Sequence, residues 1–182
     1  DVCSSDLIGF VKNYMVPKDA TDASGGRWMK GPGRKLTDAL NSVLNGTTVI
    51  ADDYGGKALI PGVKKLLAKT GWLDTKVLMF AFDGDPSNEH LPHNYPENCV
   101  AYTGTHDNET IVGWWKSITA AERKLARDYL CDHATPEEEL YKCFISLIMR
   151  SAARVCVIPM QDYMGLDNRF RMNKPSTVGT NW

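Results

Sequence analysis

The chain has 182 residues, of which 43% are hydrophobic and 24% charged, and this composition is that of a globular domain rather than of a disordered or collagen-like chain. Its 21 basic and 22 acidic side chains leave a formal net charge of −1, so no basic surface is predicted for nucleic acid or for a membrane. The longest apolar runs, such as 77–82, fall far short of the roughly 18 to 20 residues that a membrane-spanning helix needs.

The five cysteines are widely spaced and form no CxxC pair, which argues against a disulfide framework or a zinc site. They predict a reducing, cytoplasmic location. The first residues, DVCSSDL, match one reading frame of a widely used sequencing adapter, GACGTGTGCTCTTCCGATCT. We therefore expect residues 1–7 to be foreign and the natural sequence to begin near Ile8.

Apolar runs typical of buried strands alternate with helical patterns along the rest of the chain. The predicted strands are 47–53, 76–82, 99–107 and 154–162. Strands that are apolar throughout favour a parallel sheet covered by helices, in either a barrel or a doubly wound α/β fold.

Four helices are predicted between and around these strands. They cover 37–45 with Thr37 as the cap, 58–69 with Leu59, Val63, Leu66 and Leu67 on one face, 119–131 capped by Thr119, and 136–153 with an acidic first turn. The segment 83–98 is rich in Pro, Asn and Asp and is predicted to be a long loop.

Polar side chains follow three of the predicted strands where each strand ends. These are Asp52 with Asp53, His106 with Asp107, and Gln161 with Asp162. At the carboxyl ends of barrel strands such groups would face a common site suited to acid and base chemistry. Taken singly, each Asp could instead cap the next helix.

Four long motifs carry a family resemblance that covers nearly the whole chain from about residue 8. They are GRWMKGPG at 26–33, VIADDYG at 49–55, the segment 76–115 containing LPHNYPENCVAYTGTHDNETIVGWW, and the segment 157–182 beginning VIPMQDYMGLDNRF. Together they resemble the 4-α-glucanotransferases, the amylomaltase or disproportionating-enzyme family. The resemblance implies that residues 8–182 are a partial catalytic domain, about strands 5 to 8 of an incomplete α-amylase-like (β/α)8 barrel.

The resemblance also implies roles for particular carboxylates in a retaining mechanism. An Asp that binds the reacting sugar falls on Asp107, and its neighbouring His falls on His106. The Glu acid/base of the family falls on Asp52, where the family pattern A-E-D-L-G becomes ADDYG. The nucleophile position falls on Ser5, within the suspected adapter.

The shorter carboxylate at position 52 puts activity in doubt. Asp places its carboxyl roughly 1.5 Å nearer the backbone than Glu does. Retaining enzymes hold their two carboxyls about 5 to 5.5 Å apart across the scissile bond, so a displacement of this size matters. We expect this chain by itself to be inactive.

Further candidates for binding sugar are two aromatic residues and two loop residues. Trp28 and Tyr102 are predicted to stack near the cleft, and His93 and Asn94 to hydrogen-bond sugar or loop backbone. The spacing of His90 and His93 in a Pro-rich loop disfavours a metal, and the segment 171–175, RMNKP, is interpreted as structural.

The function that the resemblance implies is transfer of α-1,4-glucan segments between maltooligosaccharides and glucose by double displacement, without cofactor or metal. Two other functions stay open at this stage. One is a metal-dependent barrel hydrolase that uses His106, Asp107, Asp52 and Asp53 as ligands. The other is a non-catalytic fragment that only binds glucan.

Overall fold

A computed structural model describes residues 7–51, 60–175 and 177 of the chain. It divides into two compact units, 1–75 and 76–182, which are described separately below. Among the described residues, no helix has the length and apolar character needed to cross a membrane.

Within 7–51 and 60–75, the described part of the first unit, lie a hairpin, three helices and a short parallel strand pair. Its elements are α1 (Leu7–Val11), β1 (Lys12–Met15), β2 (Arg27–Lys30), α2 (Arg34–Leu44), β3 (Ile50–Ala51), α3 (Ile60–Thr70) and the start of β4 (Leu73–Val77). β1 and β2 pair antiparallel, whereas β3 pairs in parallel with β4 through Ile50 opposite Leu73 and Ala51 opposite Asp74.

A small apolar core holds this unit together. Val63, Leu66 and Leu67 of α3 are buried in it, which confirms the face predicted for 58–69 as far as the described residues reach. Leu59 lies outside them. Because burial removes these side chains from water, the core rather than the exposed hairpin stabilises the unit.

The start of α2 differs from the sequence prediction. The helix begins at Arg34 rather than after a cap at Thr37. Its cap is Gly33, whose φ of 56° is rarely adopted by residues other than glycine. Thr37 is buried within the helix, and its hydroxyl donates to the Arg34 carbonyl at 3.3 Å. A threonine can bond backwards to a helix carbonyl as well as cap, so its presence alone does not mark a helix start.

The second unit pairs two parallel strands and packs helices around an aromatic core. Its elements are β5 (Cys99–Tyr102), α4 (Ile111–Ser117), α5 (Ala120–Leu130), α6 (Leu140–Met149), β6 (Val155–Val157) and α7 (Met160–Tyr163), with the end of β4 before them. β5 and β6 pair in parallel, with Ala101 opposite Cys156. Phe144 has 0% exposure and meets Trp114 edge to face at a centroid distance of 5.5 Å.

The described strands are shorter than those predicted. The predicted strand 76–82 is wrong after Val77, because β4 spans Leu73–Val77 and a 3₁₀ turn follows at Leu78–Phe80. The predicted strands 99–107 and 154–162 end at Tyr102 and Val157. An apolar run predicts burial, but it does not separate a buried strand from a buried turn.

Two of the predicted helices have instructive outcomes. α5 confirms the prediction for 119–131, since Thr119 and Glu122 form a reciprocal capping box. The prediction of one helix over 136–153 is wrong, because a 3₁₀ turn at Glu137–Glu139 precedes α6 and the helix ends at Met149. Near this end, the Ser151 hydroxyl donates to the Ile148 carbonyl at 2.6 Å.

Candidate active site

Asp107 lies in a turn five residues beyond the end of β5, with its side chain about half exposed at 52%. Its Oδ1 accepts a hydrogen bond from the Asn173 amide, and its Oδ2 lies 3.4 Å from His106 Nε2. The Asp107 carbonyl accepts from Arg171 Nη2 at 2.9 Å. The carboxylate is therefore held from two sides yet open to solvent.

The turn that carries Asp107 is closed by an asparagine. Asn108 Oδ1 accepts from both the backbone N–H and the hydroxyl of Thr105, each at 2.8 Å. Two bonds to one amide oxygen fix the turn locally, as Asx side chains do in loops. His106 and Asp107 lie between these two residues, so their backbone is preorganised.

Asn173 and Arg171 are contacts of the site that sequence reasoning missed. Both belong to the RMNKP segment, and Arg171 Nε also donates to the Asn173 carbonyl at 3.2 Å. Asn173 and Asp107 are 66 residues apart, so spacing could not join them. The one available signal was a cluster of polar side chains in a segment with no helical or strand period.

Helix α4 begins shortly after this turn. Three backbone N–H groups at its start each donate a hydrogen bond to a different side-chain oxygen. The Thr110 hydroxyl accepts from Gly113 N at 3.1 Å, and Asn168 Oδ1 accepts from Thr110 N at 3.2 Å. Asn168 also donates to Glu109 Oε1 at 2.6 Å. The third group, Ile111 N, donates to Asp162 Oδ1 at 2.7 Å. These bonds satisfy N–H groups that a helix start leaves open.

Asp162 does not end a strand, and the prediction that it does so is wrong. It lies in α7 with Gln161, has 0% exposure, and accepts hydrogen bonds from Ile111 N and from the Thr103 hydroxyl. Burial raises the pKa of this carboxyl, while its two hydrogen bonds act in the opposite direction. Asp162 thus supports the segment that carries Asp107.

The loop candidates His93 and Asn94 are engaged within the protein. The His93 ring stacks on Tyr129 at a centroid distance of 5.6 Å, with Nδ1 2.8 Å from the Tyr129 hydroxyl. Asn94 Nδ2 donates to the carbonyls of Pro86 and Asn88, both at 2.9 Å. These contacts order the loop, and a role for either side chain in binding sugar stays a prediction.

The other predicted site residues are distributed over both units. Tyr102 ends β5 opposite Val157 and packs, half-buried, against the core of the second unit. Trp28 belongs to the hairpin of the first unit and is 55% exposed, and its ring centroid lies 5.1 Å from that of Tyr14. Asp52, Asp53 and Ser5 lie outside the described residues, so the predicted acid/base and nucleophile positions have no geometry here.

A cavity of about 20 Å³ lies beside His106 and Arg171. It has room for about one water and not for a sugar ring. This hollow is therefore too small to enclose a substrate sugar. Within 7–51, 60–175 and 177, no three His, Cys, Asp or Glu side chains form a group that could hold a metal ion.

Comparison with known proteins places these features in a family context. A family model described as 4-alpha-glucanotransferase matches residues 6–182. The chloroplastic/amyloplastic 4-alpha-glucanotransferase of Arabidopsis thaliana is 39% identical over 100% of this chain and 31% of its own length. The 4-alpha-glucanotransferase of Thermus thermophilus is 39% identical over 96% of this chain and 35% of its own.

Two solved structures share the fold. The amylomaltase from Streptococcus agalactiae, solved in complex with acarbose, matches 98% of this chain with a TM-score of 0.87 and 31% identity, over 35% of its own length. The amylomaltase from Corynebacterium glutamicum matches 97% of this chain and 30% of its own, with a TM-score of 0.72 and 19% identity, which shows the fold alone. The chain thus spans about a third of the length of these proteins, and the predicted partial α/β barrel is confirmed.

Proposed function

Because the chain belongs to the 4-alpha-glucanotransferase family, we propose that the protein containing it transfers α-1,4-linked glucan segments between maltooligosaccharides and glucose. The structural observation that best supports this proposal is the environment of the Asp107 carboxylate. Its carboxylate is held by Asn173 and His106 and remains half open to solvent. Such a group can accept hydrogen bonds from the hydroxyls of a sugar without first reorganising.

In the proposed reaction, Asp107 binds hydroxyls of the sugar ring at the cleavage point. These bonds strengthen as the ring distorts towards the oxocarbenium-like transition state. His106, beside Asp107 and 48% exposed, would donate to a hydroxyl of the same ring. The support from Asn108, Asn173 and Asp162 holds both groups in place before substrate arrives.

The remaining steps need a nucleophile and an acid/base. A carboxylate attacks the anomeric carbon while the acid/base protonates the leaving oxygen, and an acceptor hydroxyl then displaces the enzyme. We propose that Asp52 occupies the acid/base position in this chain. An Asp there would protonate the leaving oxygen from too far away, because its carboxyl is one carbon short.

The test is a chimera in which residues 8–182 follow the upstream part of the Thermus thermophilus relative. With Asp52→Glu, we expect two maltotriose molecules to give glucose and maltopentaose; with Asp52 unchanged, we expect far slower release. Chromatography of the products distinguishes transfer from hydrolysis, which gives maltose and no maltopentaose. The intact relative is the matched control for folding and activity.

The same experiment tests the two other functions. A folded Asp52→Glu chimera that forms no maltopentaose would overturn the proposed transfer reaction. Activity that disappears in a chelator and returns with Zn²⁺ would favour the metal-dependent hydrolase. Binding of maltotriose without turnover would favour a non-catalytic glucan-binding role.

The cytoplasmic location predicted from the cysteines stays a prediction. Two relatives, from Arabidopsis thaliana and Solanum tuberosum, carry chloroplastic/amyloplastic in their names.

A further inference from the structure

Asn168 belongs to the segment that contacts the Asp107 turn, but it bonds to the chain beyond the turn rather than to Asp107. Its Oδ1 accepts from Thr110 N at 3.2 Å, and its Nδ2 donates to Glu109 Oε1 at 2.6 Å. Glu109 and Thr110 are the second and third residues after Asp107. Asn168 is therefore placed to act on the candidate active site by way of the backbone that leaves the turn.

Helix α4 is shaped to receive the Asn168 side chain. A Cβ atom at Gly113 would lie 1.9 Å from Asn168 Oδ1 and 2.2 Å from its Cγ, so any larger residue would displace the amide. Gly113 is buried within α4, where glycine is a poor helix former compared with alanine. The close approach of the Asn168 amide accounts for a glycine at this position.

Glu109 extends the contact along the same helix. Its Oε1 accepts from Asn168, and its Oε2 accepts from the hydroxyl of Ser117, the last residue of α4, at 2.8 Å. A charged acceptor makes the bond from the Asn168 amide stronger than a bond between neutral groups. Asn168, Glu109 and Thr110 thus form one bonded cluster, the α4 anchor, where the chain leaves the Asp107 turn.

The Asp107 turn is closed within itself and held at its two ends. Asn108 Oδ1 accepts from the N–H and the hydroxyl of Thr105, so the four residues of the turn are tied together. A closed turn moves as a unit, and its orientation depends on where the chain is fixed on either side. The strand β5 fixes one side and the α4 anchor the other. Because a displacement of about 1 Å can cost on the order of a hundredfold in rate, the second attachment matters for a catalytic group.

We propose that Asn168 is a positioning residue for Asp107, acting through Glu109 and the Thr110 N–H. It fixes the exit of the turn, so that the Asp107 carboxylate meets the sugar hydroxyls in the geometry of the transition state. Asn168 contacts no substrate in this role, and its effect on the rate passes through Asp107. The inference rests on the proposed function, because glucan transfer is the reaction in which Asp107 acts.

Loss of the α4 anchor should leave the fold in place. Ile111 N still donates to the buried Asp162, and the Thr110 hydroxyl still accepts from Gly113 N. Asn168 is itself an exposed residue, so its truncation opens no cavity in the core. The effect of its removal should therefore appear in the rate more than in the thermal midpoint.

The first experiment is Asn168→Ala in the Asp52→Glu chimera, with glucose release from maltotriose as the readout. We expect kcat to fall about tenfold and KM to change less than about twofold, because the bonds from Asp107 strengthen in the transition state. Thr119→Ala is the matched control, since it removes the cap of α5 and should lower the thermal midpoint without changing kcat. A raised KM with an unchanged kcat would overturn the proposal.

A reciprocal exchange of the two bonded groups tests the bond itself. Asn168→Asp places a carboxylate against Glu109 and should lower kcat, because the two like charges repel each other. Adding Glu109→Gln restores the pair in reverse, since the introduced amide can donate to the introduced carboxylate, which also accepts from Thr110 N. The double variant should regain about a third or more of the parental kcat. A double variant as slow as Asn168→Asp alone would overturn the proposal.

The route through Asp107 is tested by combining Asn168→Ala with Asp107→Asn. Once the carboxylate that Asn168 positions has been removed, Asn168→Ala should lower the remaining kcat by less than about twofold. A further loss of about tenfold would show that the two residues act independently, and it would overturn the proposal.

A ¹⁵N-¹H spectrum of the full 182-residue chain separates failure of this proposal from failure of the proposed function. Asn168→Ala should shift the backbone amide signals of 105–108 as well as those of Glu109 and Thr110, and the exchange variant should return them. If these shifts stop at Glu109, the positioning proposal is overturned even where the chimera transfers glucan. A folded Asp52→Glu chimera that transfers no glucan overturns the proposed function, whereas shifts at 105–108 still support the positioning of the turn by Asn168.

Discussion

The segments that follow β5 and β6 contain similar residues but differ in the exposure of their Asp side chains. Each carries a polar residue followed by an Asp, His106 with Asp107 after β5 and Gln161 with Asp162 after β6. The Asp107 side chain is 52% exposed, whereas Asp162 has 0% exposure. The difference arises because an Asx-stabilised turn presents Asp107, while α7 places Asp162 beneath the start of α4.

The comparison shows that Asp162 supports the segment that contains Asp107, so the placement of Asp107 depends on Asp162. Asp162 accepts from Thr103 and from Ile111 N, which bracket the segment containing Asp107. One carboxylate therefore positions the chain in which the other is exposed. Substitutions should separate a chemical role at Asp107 from a supporting role at Asp162.

The largest expected effect is on activity at Asp107. In the Asp52→Glu chimera, Asp107→Asn should lower glucose release from maltotriose by about a hundredfold to a thousandfold, since the neutral amide stabilises the transition state poorly. The thermal midpoint should change little, because the side chain is half exposed. Retention of more than a tenth of the parental rate would contradict a catalytic role for Asp107.

A second prediction concerns the free energy of unfolding at Asp162. Asp162→Ala should lower it by about 1 to 3 kcal/mol, because it leaves Ile111 N buried without an acceptor. Asp162→Asn keeps an amide oxygen for that N–H and should lower it much less. Denaturant titration of the chimera measures both values. Equal losses in the two variants would show that the hydrogen bond to Ile111 is not the cause.

A third prediction uses the close packing of α4 against Asn168. A Cβ atom at Gly113 would lie 1.9 Å from Asn168 Oδ1, so Gly113→Ala must displace the side chain that bonds to Thr110 N. Overpacking of this kind costs about 1 to 3 kcal/mol, and the helix propensity of alanine returns about 1 kcal/mol. We expect a net loss in the thermal midpoint. Gly25→Ala is the control, since a Cβ there meets nothing within 4 Å.

The smallest expected effect is a pH dependence. Burial raises the pKa of Asp162 above its ordinary value of 3.8, so ionisation costs the folded state more than the unfolded state. The stability contributed by the protonated carboxyl is therefore lost as the pH rises through the raised pKa. Relative to wild type, Asp162→Asn should gain stability over that interval and then reach a plateau. A difference that is independent of pH would contradict the raised pKa.

Local signals predicted the parts of the fold that depend on neighbouring residues. The helix start at Thr119 was predicted because a threonine directly before a helical pattern is a local signal, and the structure adds the reciprocal bond from Glu122 in the same turn. The start of α2 was not predicted, because Thr37 bonds back to the Arg34 carbonyl and Gly33 takes the cap. Helix α4 escaped prediction, since a glycine and two tryptophans fill a span of only 7 residues.

The sequence predicted the reactive residue of the candidate site but not the side chains that hold it in place. Family motifs pointed to His106 and Asp107. The contacts from Asn173 and Asp162 arise only when segments more than 50 residues apart meet. Polar side chains of this kind have no period in the sequence, so only the folded chain shows which group each one bonds.

The hairpin of β1 and β2 has a consequence for how copies of this protein behave in concentrated solution. All eight of its residues are exposed, and its outer edges are the kind of surface on which strands from different molecules pair. Lys12 lies opposite Lys30, and Arg27 stands at the other end of the ladder. These like charges repel an approaching second hairpin, and salt shortens the reach of that repulsion from about 10 Å at 0.1 M to about 3 Å at 1 M. Ionic strength should therefore set the colloidal stability of the protein, with dilute buffers keeping the copies apart.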